Sequence, residues 1–314
     1  MEFIRPMLAV NGQPFSRKDW IFEPKFDGIR CIAHRRNGRT YLQNRRMADI
    51  TAKYPEIVER LRVAAPADCA LDGELVIFRG GKPLISALQS RELQDDRFKI
   101  GLLARSLPAS FILFDILRLE ERRLEGTPLA ERKEILSGTI VQGSGVYITD
   151  YIPGEGEAYY QASIALGFEG VVGKRADSPY RPGVRSPDWV KCKKILTIDL
   201  VVGGFTHGSG ARGSTFGALL LGGYDPDGRL VHVTKVGSGF SEEAQSTIMA
   251  NLEKRLDSPF ADSPPGTGIT WVNPTLAVEV QAQEITPAGS LRAPRFARIR
   301  PDKDPLECLL PEMG

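Results

Sequence analysis

Histidine and cysteine are scarce in this 314-residue chain. The three histidines stand at His34, His207 and His232, and the four cysteines, Cys31, Cys69, Cys192 and Cys308, share no paired spacing. A zinc site needs such ligands at short, regular intervals, and a disulfide-framed secreted fold needs paired cysteines, so both classes are excluded and a reduced, cytoplasmic compartment is expected. Long apolar runs are missing as well. Val10 gives way at once to Asn11-Gly12-Gln13, which argues against a signal sequence or a membrane span. Nor does one sign of charge prevail: 41 Lys+Arg face 39 Asp+Glu, a net of +2, so the global field neither demands nor forbids a polyanion partner. What is present is 42% hydrophobic content, enough at this length to build two packed domains.

Periodicity divides the chain. Residues 21–43 read as short strands around a turn at Lys25, with Asn37-Gly38 as a hairpin turn. Ile57, Val58, Leu61 and Val63 predict a short amphipathic helix after Pro55. Strands follow at 69–78 and 111–117, a helix near 129–136, a strand at 146–149, a helix over 156–166, and strands at 170–174 and 189–193. After Lys194 the chain alternates β-rich runs with Gly-rich turns and one helix between Ser241 and Leu256; Asp225-Pro226-Asp227-Gly228 is a further hairpin signal. The expectation is an α+β first domain over 1–194 and a small closed β-barrel of the oligonucleotide-binding (OB-fold) kind over 195–314, with a hinge near 193–197.

Charged residues recur at the ends of the β runs, where a central sheet would present them to one cleft: Lys25, Glu74, Asp115, Glu169, Lys174, Lys191 and Lys193. Lys25 stands in Glu23-Pro24-Lys25-Phe26-Asp27-Gly28-Ile29-Arg30, an ammonium among carboxylates whose proton affinity can be tuned, and a neutral lysine amine is a nucleophile. Strand period two puts Lys191 and Lys193 on one face, and two like charges side by side favour an anion between them, with a triphosphate or phosphodiester as the natural candidate. Carboxylates beside such a ligand call for a hard cation, which makes Glu74 and Glu169 candidate Mg²⁺ ligands.

In order along the chain these motifs resemble those of the ATP-dependent DNA ligase family, specifically the bacterial ligases related to the ligase module of end-joining repair enzymes. The resemblance rests on KFDGIR at 25–30, Asn44-Arg45 through Asp49-Ile50-Thr51, Leu71-Asp72-Gly73-Glu74, Phe114-Asp115, EGVVGK at 169–174, WVKCK at 189–193 and the terminal Arg300-Pro301-Asp302-Lys303. One departure is Arg46-Met47-Ala48, where related ligases carry a Gly/Asn-rich turn. The resemblance implies a nucleotidyltransferase (adenylation) core, ATP and Mg²⁺ or Mn²⁺ as requirements, and three steps: Lys25 takes AMP from ATP, passes it to the 5′-phosphate of nicked double-stranded DNA, and the 3′-hydroxyl displaces it.

It further implies that Glu23 accepts from the adenine amino group, that Phe114 and Val172 cover the ring faces, and that Arg30 and Arg45 hold ribose, phosphate or nick-end groups. Lys174, Lys191 and Lys193 would contact the α-phosphate, Arg300 and Lys303 would meet the β/γ-phosphates as the barrel swings over the nucleotide, and Asp302 between them is counted with the catalytic residues. Backbone contacts to DNA are expected from Arg35, Arg36, Arg39, Arg46, Arg181 and Arg185, because an enzyme that seals many sequences has no use for base readout. A monomer that associates with the nucleoid when on DNA is expected, with an end-binding or polymerase repair protein as a candidate partner. An RNA ligase or capping-type nucleotidyltransferase shares the lysine chemistry and remains an alternative; a non-catalytic nucleic-acid-binding module is the alternative of another class.

Overall fold

The computed structural model describes residues 3–208, 215–286 and 288–311, and the chain divides into two units, Met1–Lys193 and Lys194–Gly314. Two large sheets and a two-stranded ribbon, Phe78–Arg79 with Lys82–Pro83, make up the strands of the first unit. One orders its strands Leu8–Asn11, Arg185–Lys193, Gly170–Arg175, Arg17–Lys25 and Ile152–Gly154. The other runs Val146–Ile148, Ser110–Leu119, Cys69–Val76, Ile29–Arg36 and Arg39–Asn44, with Arg122–Arg123 paired to Ser110–Leu119.

Lys25 therefore ends a strand of the first sheet, and the next strand, Ile29–Arg36, belongs to the second. The lysine sits on a crossover between sheets, at the entry to the hairpin formed by Ile29–Arg36 and Arg39–Asn44. Glycine is required in that crossover: a Cβ on Gly28 would lie 2.4 Å from the Leu75 carbonyl oxygen and 2.7 Å from Glu74 Cγ. The hairpin at Asn37-Gly38 is formed, with φ of +50° and +73° at its two central residues, the positive pair that a twist-matched two-residue turn needs. Its strands pair from Cys31 opposite Asn44 to Arg36 opposite Arg39.

The second sheet is buried on both faces, which is why its strands read as apolar runs more than as strict alternation. On one side Leu71, Leu75, Phe111 and Leu113 pack with Ile57 and Leu61 of the helix Pro55–Ala64. On the other, Ile32, Ala70 and Leu117 cluster with Met7, Tyr180 and Trp189. Each fully buried Leu, Ile or Phe contributes about 1.5–3 kcal/mol. Two helices that the sequence pattern did not announce, Ile85–Glu92 and Arg97–Ser106, follow; the second is capped by Asp96, whose Oδ1 accepts from the Phe98 amide at 2.8 Å.

The helix Leu129–Thr139 has an unusual inner stripe. Its buried positions are Leu129, Arg132, Lys133 and Leu136, spaced i, i+3, i+4, i+7, so two cations occupy the middle of a core-facing row. Arg132 donates from Nε to Asp115 Oδ1 at 2.7 Å and from Nη2 to Asp115 Oδ2 at 2.8 Å, both side chains fully buried. Asp115, expected at a cleft, is instead an interior anchor for this helix.

The second unit corrects the expected closed barrel. Among the described residues its main sheet is open: the hydrogen-bonded order is Leu230–Val236, Phe216–Tyr224, Leu196–His207, Ala277–Ala282, Arg295–Ile299, all antiparallel, with Ile269–Trp271 attached to Leu196–His207. The two edge strands, Leu230–Val236 and Arg295–Ile299, do not pair with one another. Short strands and turn signals locate strands along a chain but carry no information about whether the first and last edges meet, and closure was inferred from the former alone. A bulge between Val202 and Gly204 divides the long strand, which pairs with Ala277–Ala282 before it and with Ile269–Trp271 after it. The predicted hairpin at 225–228 joins Phe216–Tyr224 to Leu230–Val236, and one helix, Glu242–Ala250, is capped by Ser241.

Candidate active site

The two sheets of the first unit face each other across a cleft of about 220 Å³. Cross-strand register brings the first sheet's polar residues together: Glu23 lies opposite Val172, Val172 opposite Lys191, Lys25 opposite Gly170, and Gly170 opposite Lys193. With a side-chain period of two, Glu23 and Lys25 share a face, as do Trp189, Lys191 and Lys193. The second sheet contributes Arg30 and Glu74, which are cross-strand partners, and Phe114. Glu23, Lys25, Arg30, Arg45, Glu74, Phe114, Val172, Lys174, Lys191 and Lys193 all line the one cleft, joined by Arg185 and Trp189.

Charges within the cleft are paired unevenly. Lys25 Nζ lies 2.5 Å from Glu169 Oε2, and Lys193 meets the other carboxylate oxygen of the same residue. Burial pushes the Glu169 carboxyl up, but Lys25 and Lys193 together outweigh it and hold it below its ordinary range. Among the described residues Lys191 has no such carboxylate partner. Desolvation first, then the neighbouring Lys193, Arg185, Lys25 and Arg45, lower its proton affinity. Glu74 makes no hydrogen bond among the described residues, and burial raises its carboxyl to about 7 against the opposing pull of Lys25 and Arg30.

Arg30 is held from behind. Its Nε and Nη2 donate to Asp72 Oδ1 and Oδ2, each at 2.6 Å, and Tyr180 donates to Asp72 Oδ2 at 2.6 Å while accepting from the Met7 amide at 3.0 Å. The guanidinium stands 4.5 Å from the Phe114 ring centre. Phe114 and Trp189 meet edge-on at 6.2 Å and form an aromatic wall. Lys174 is buried against that wall, 4.2 Å from the Phe114 centre and 4.3 Å from that of Trp189, with Nζ 2.6 Å from Glu23 Oε2. Thus the acid expected to read the base and a cation expected at phosphate are bound to each other.

Residues 6–193 match the family described as ATP dependent DNA ligase domain, and residues 212–303 match that described as ATP dependent DNA ligase C terminal region. The chain belongs to the ATP-dependent DNA ligase family. It is 36% identical over 316 residues to the multifunctional non-homologous end joining DNA repair protein LigD of Mycobacterium tuberculosis, covering 97% of this chain and 39% of that protein. To the DNA ligase of Thermococcus onnurineus it is 31% identical over 325 residues, 97% of this chain and 56% of that one. The chain thus spans 39% to 56% of these relatives' lengths. Among solved structures it is similar to a mycobacterial DNA ligase D complexed with ATP and MES, at 33% identity over 99% of this chain and 100% of that one, with a TM-score of 0.56.

The remaining ligase-type residues fall into groups. Arg36, Arg39, Arg45 and Arg46 are exposed, and Arg185 is exposed with Nη1 donating to the Ala9 carbonyl at 2.6 Å. Arg35 is not available to a ligand: it is 5% exposed and donates to the carbonyls of Ala65 and Pro66. Arg181 is paired with Asp188. The departure at 46–48 is accommodated by Met47 itself adopting φ +68°, with Asn44 Oδ1 accepting from the Arg46 and Ala48 amides at 2.9 and 3.0 Å. In the second unit Arg300 donates to both oxygens of Asp199 at 2.8 Å and to both oxygens of Asp302 at 2.9 Å; the Arg300 hydrogen bond holds Asp302 down at about 2. Lys303 lies 3.7 Å from Glu307.

Sequence reasoning missed Trp189, Asp72 and Lys133 as parts of the site. Lys133 pairs with Glu23 Oε1 from beneath, and its signal was a cation at an inner position of an apolar helical stripe. Among the described residues no group of three or more His, Cys, Asp or Glu side chains could hold a metal unaided, and no helix is long and apolar enough to cross a membrane.

Proposed function

We propose that this chain is a nick-sealing DNA ligase that takes AMP from ATP onto Lys25, passes it to the 5′-phosphate of nicked double-stranded DNA and joins the strands. The observation that supports this most directly is a lysine amine fixed 2.5 Å from Glu169 in a cleft that also holds Lys191, Lys193, Arg45 and an aromatic wall. An ammonium is not a nucleophile, so Lys25 must shed a proton before its nitrogen bonds the α-phosphorus and pyrophosphate leaves. Negative charge then builds on phosphoryl oxygens, and Lys191, whose like-charged neighbours already oppose its proton, is relieved by an anion. Lys193 and Lys174 add to this when they turn from their carboxylates to the α-phosphate.

Glu23 is assigned to the adenine amino group, and Phe114 and Val172 to the two ring faces. Arg30, kept in place by Asp72, and Arg45 are assigned to ribose or phosphate. Glu74 and Glu169 suit a hard divalent cation, since Glu74 offers oxygen atoms with no hydrogen-bond partner among the described residues and Mg²⁺ takes one or two carboxylates plus phosphate oxygens. Mg²⁺ or Mn²⁺ would supply charge neutralisation at the phosphates. Residues 1–194 act as the adenylation domain, and Arg300, Asp302 and Lys303 from residues 195–314 serve the first step. Arg36, Arg39, Arg46 and Arg185 hold DNA phosphates. A repair protein that binds DNA ends is the candidate partner.

The test uses α-labelled ATP with Mg²⁺, denaturing electrophoresis, and a chase with nicked DNA. Label stays on the protein through denaturation, passes to the DNA 5′-phosphate in the chase and is released as AMP on sealing; Lys25→Ala carries none. Wild-type protein that takes up no label would refute the assignment.

A further inference from the structure

Glu23 is a single buried carboxylate held between two ammoniums. Its Oε2 lies 2.6 Å from Lys174 Nζ, its Oε1 pairs with Lys133 Nζ, and the three side chains are only 2–4% exposed. The two lysines reach it from different sides. Lys174 lines the cleft, against Phe114 and Trp189. Lys133 does not line the cleft; it comes from the helix Leu129–Thr139, lines a separate depression with Thr149, Asp150 and Tyr151, and stands 5.6 Å from the Tyr151 ring centre.

This arrangement resolves a conflict in the assigned roles. If Lys174 turns toward phosphate, Glu23 loses one of its two counter-charges inside the protein, and a buried ion stripped of its partner costs stability. Neutralisation by uptake of a proton would avoid that cost but change what Glu23 can recognise. An ionised carboxylate only accepts hydrogen bonds, whereas a protonated one can donate. Adenine presents an amino group at the position where guanine presents a carbonyl oxygen. An anionic Glu23 therefore accepts from adenine and repels guanine, and a neutral Glu23 would serve both.

We propose that Lys133 is the standing counter-ion of Glu23, a positioning residue that keeps the carboxylate anionic for adenine selection and frees Lys174 for phosphate. The proposal rests on the assignments of Lys25 as nucleophile and Glu23 as base reader. It gives Lys133 no contact with the nucleotide. Its effect passes through Glu23 alone, which separates it from a merely structural lysine.

The experiment measures uptake of α-labelled ATP and α-labelled GTP by full-length wild type, Lys133→Met, Lys133→Gln, Lys133→Arg, Glu23→Gln and the Glu23→Gln, Lys133→Met double variant. Both neutral variants should slow labelling at saturating ATP and cut the ATP:GTP ratio of uptake efficiency by about tenfold or more, while Lys133→Arg stays within about threefold of wild type. In the Glu23→Gln background, Lys133→Met should change that ratio by less than about twofold. Lys133→Gln keeps length and polarity and carries the test if Lys133→Met does not melt cooperatively. An unchanged ratio in the neutral variants, an equal loss with both nucleotides, or the same drop without the Glu23 carboxylate overturns the proposal. Failure of wild-type protein to label with ATP overturns the underlying assignment of Lys25, and is read in a separate lane.

Discussion

Asp115→Ala separates an anchoring role from a catalytic one. The carboxylate is fully buried, receives two hydrogen bonds from Arg132 at 2.7 and 2.8 Å, and lies next in sequence to the cleft residue Phe114. Removing it leaves the Arg132 guanidinium in the interior with the carbonyls of Ser178 and Thr127 as its remaining partners, neither of them charged. Breaking one side of such a pair costs about 3–5 kcal/mol, because the surviving charge stays desolvated. For a unit of this size each kcal/mol moves the melting midpoint by about 2–4 °C, so a fall of about 6–20 °C is expected. The companion variant Asp115→Leu, Arg132→Met replaces both ions with apolar groups and should recover most of the loss, since a buried pair contributes little net stability over a well-packed apolar one. Thermal unfolding should be followed by fluorescence of Trp20 and Trp189, both buried in the first unit, with far-ultraviolet circular dichroism as a second probe of two-state behaviour. A single variant that melts within about 1 °C of wild type, or a double variant less stable than the single one, would refute the anchoring argument.

Lys174 ties stability to alkaline pH. Burial lowers its proton affinity to about 8 against the opposing attraction of Glu23, whereas in the unfolded chain it titrates near 10.5. Between these values the unfolded state binds more protons, so the Lys174 contribution to stability rises with pH through the window from about 8 to 10.5, by about 3 kcal/mol in all. The difference in urea midpoint between wild type and Lys174→Met, followed from pH 7.5 to 10.5, should change across that window, and a flat difference would sink the claim. Arg35 and Arg36 adjoin in sequence but should behave oppositely. Arg36→Ala should leave folding intact and reduce the salt dependence of nicked-DNA binding by about one phosphate contact, while Arg35→Ala should lower stability and leave the salt slope alone. Equal effects of the two on the slope would count against the assignment.

Local pattern made part of this site legible and concealed the rest for a physical reason. Strand period two placed Lys191 and Lys193 on one face, and the structure finds mutual repulsion there: Lys193 is among the causes lowering the proton affinity of Lys191. The turn at Asn37-Gly38 was readable because only certain residues tolerate positive φ. Neither signal says which charges will neutralise which across the fold. Lys193 meets Glu169, and Glu23 is divided between Lys174 and Lys133; those partners lie 24, 151 and 110 residues apart in sequence. Arg132 and Lys133 were passed over because cations on a helix are ordinarily solvated, yet here they fill the inner stripe between Leu129 and Leu136. The same limit explains the open sheet of the second unit, since strands are encoded locally but the meeting of edges is not. The cleft-lining cations that have no carboxylate partner among the described residues, above all Lys191, are then the informative ones. A folded protein tolerates their repulsion at a cost, and an anion in that cleft removes it.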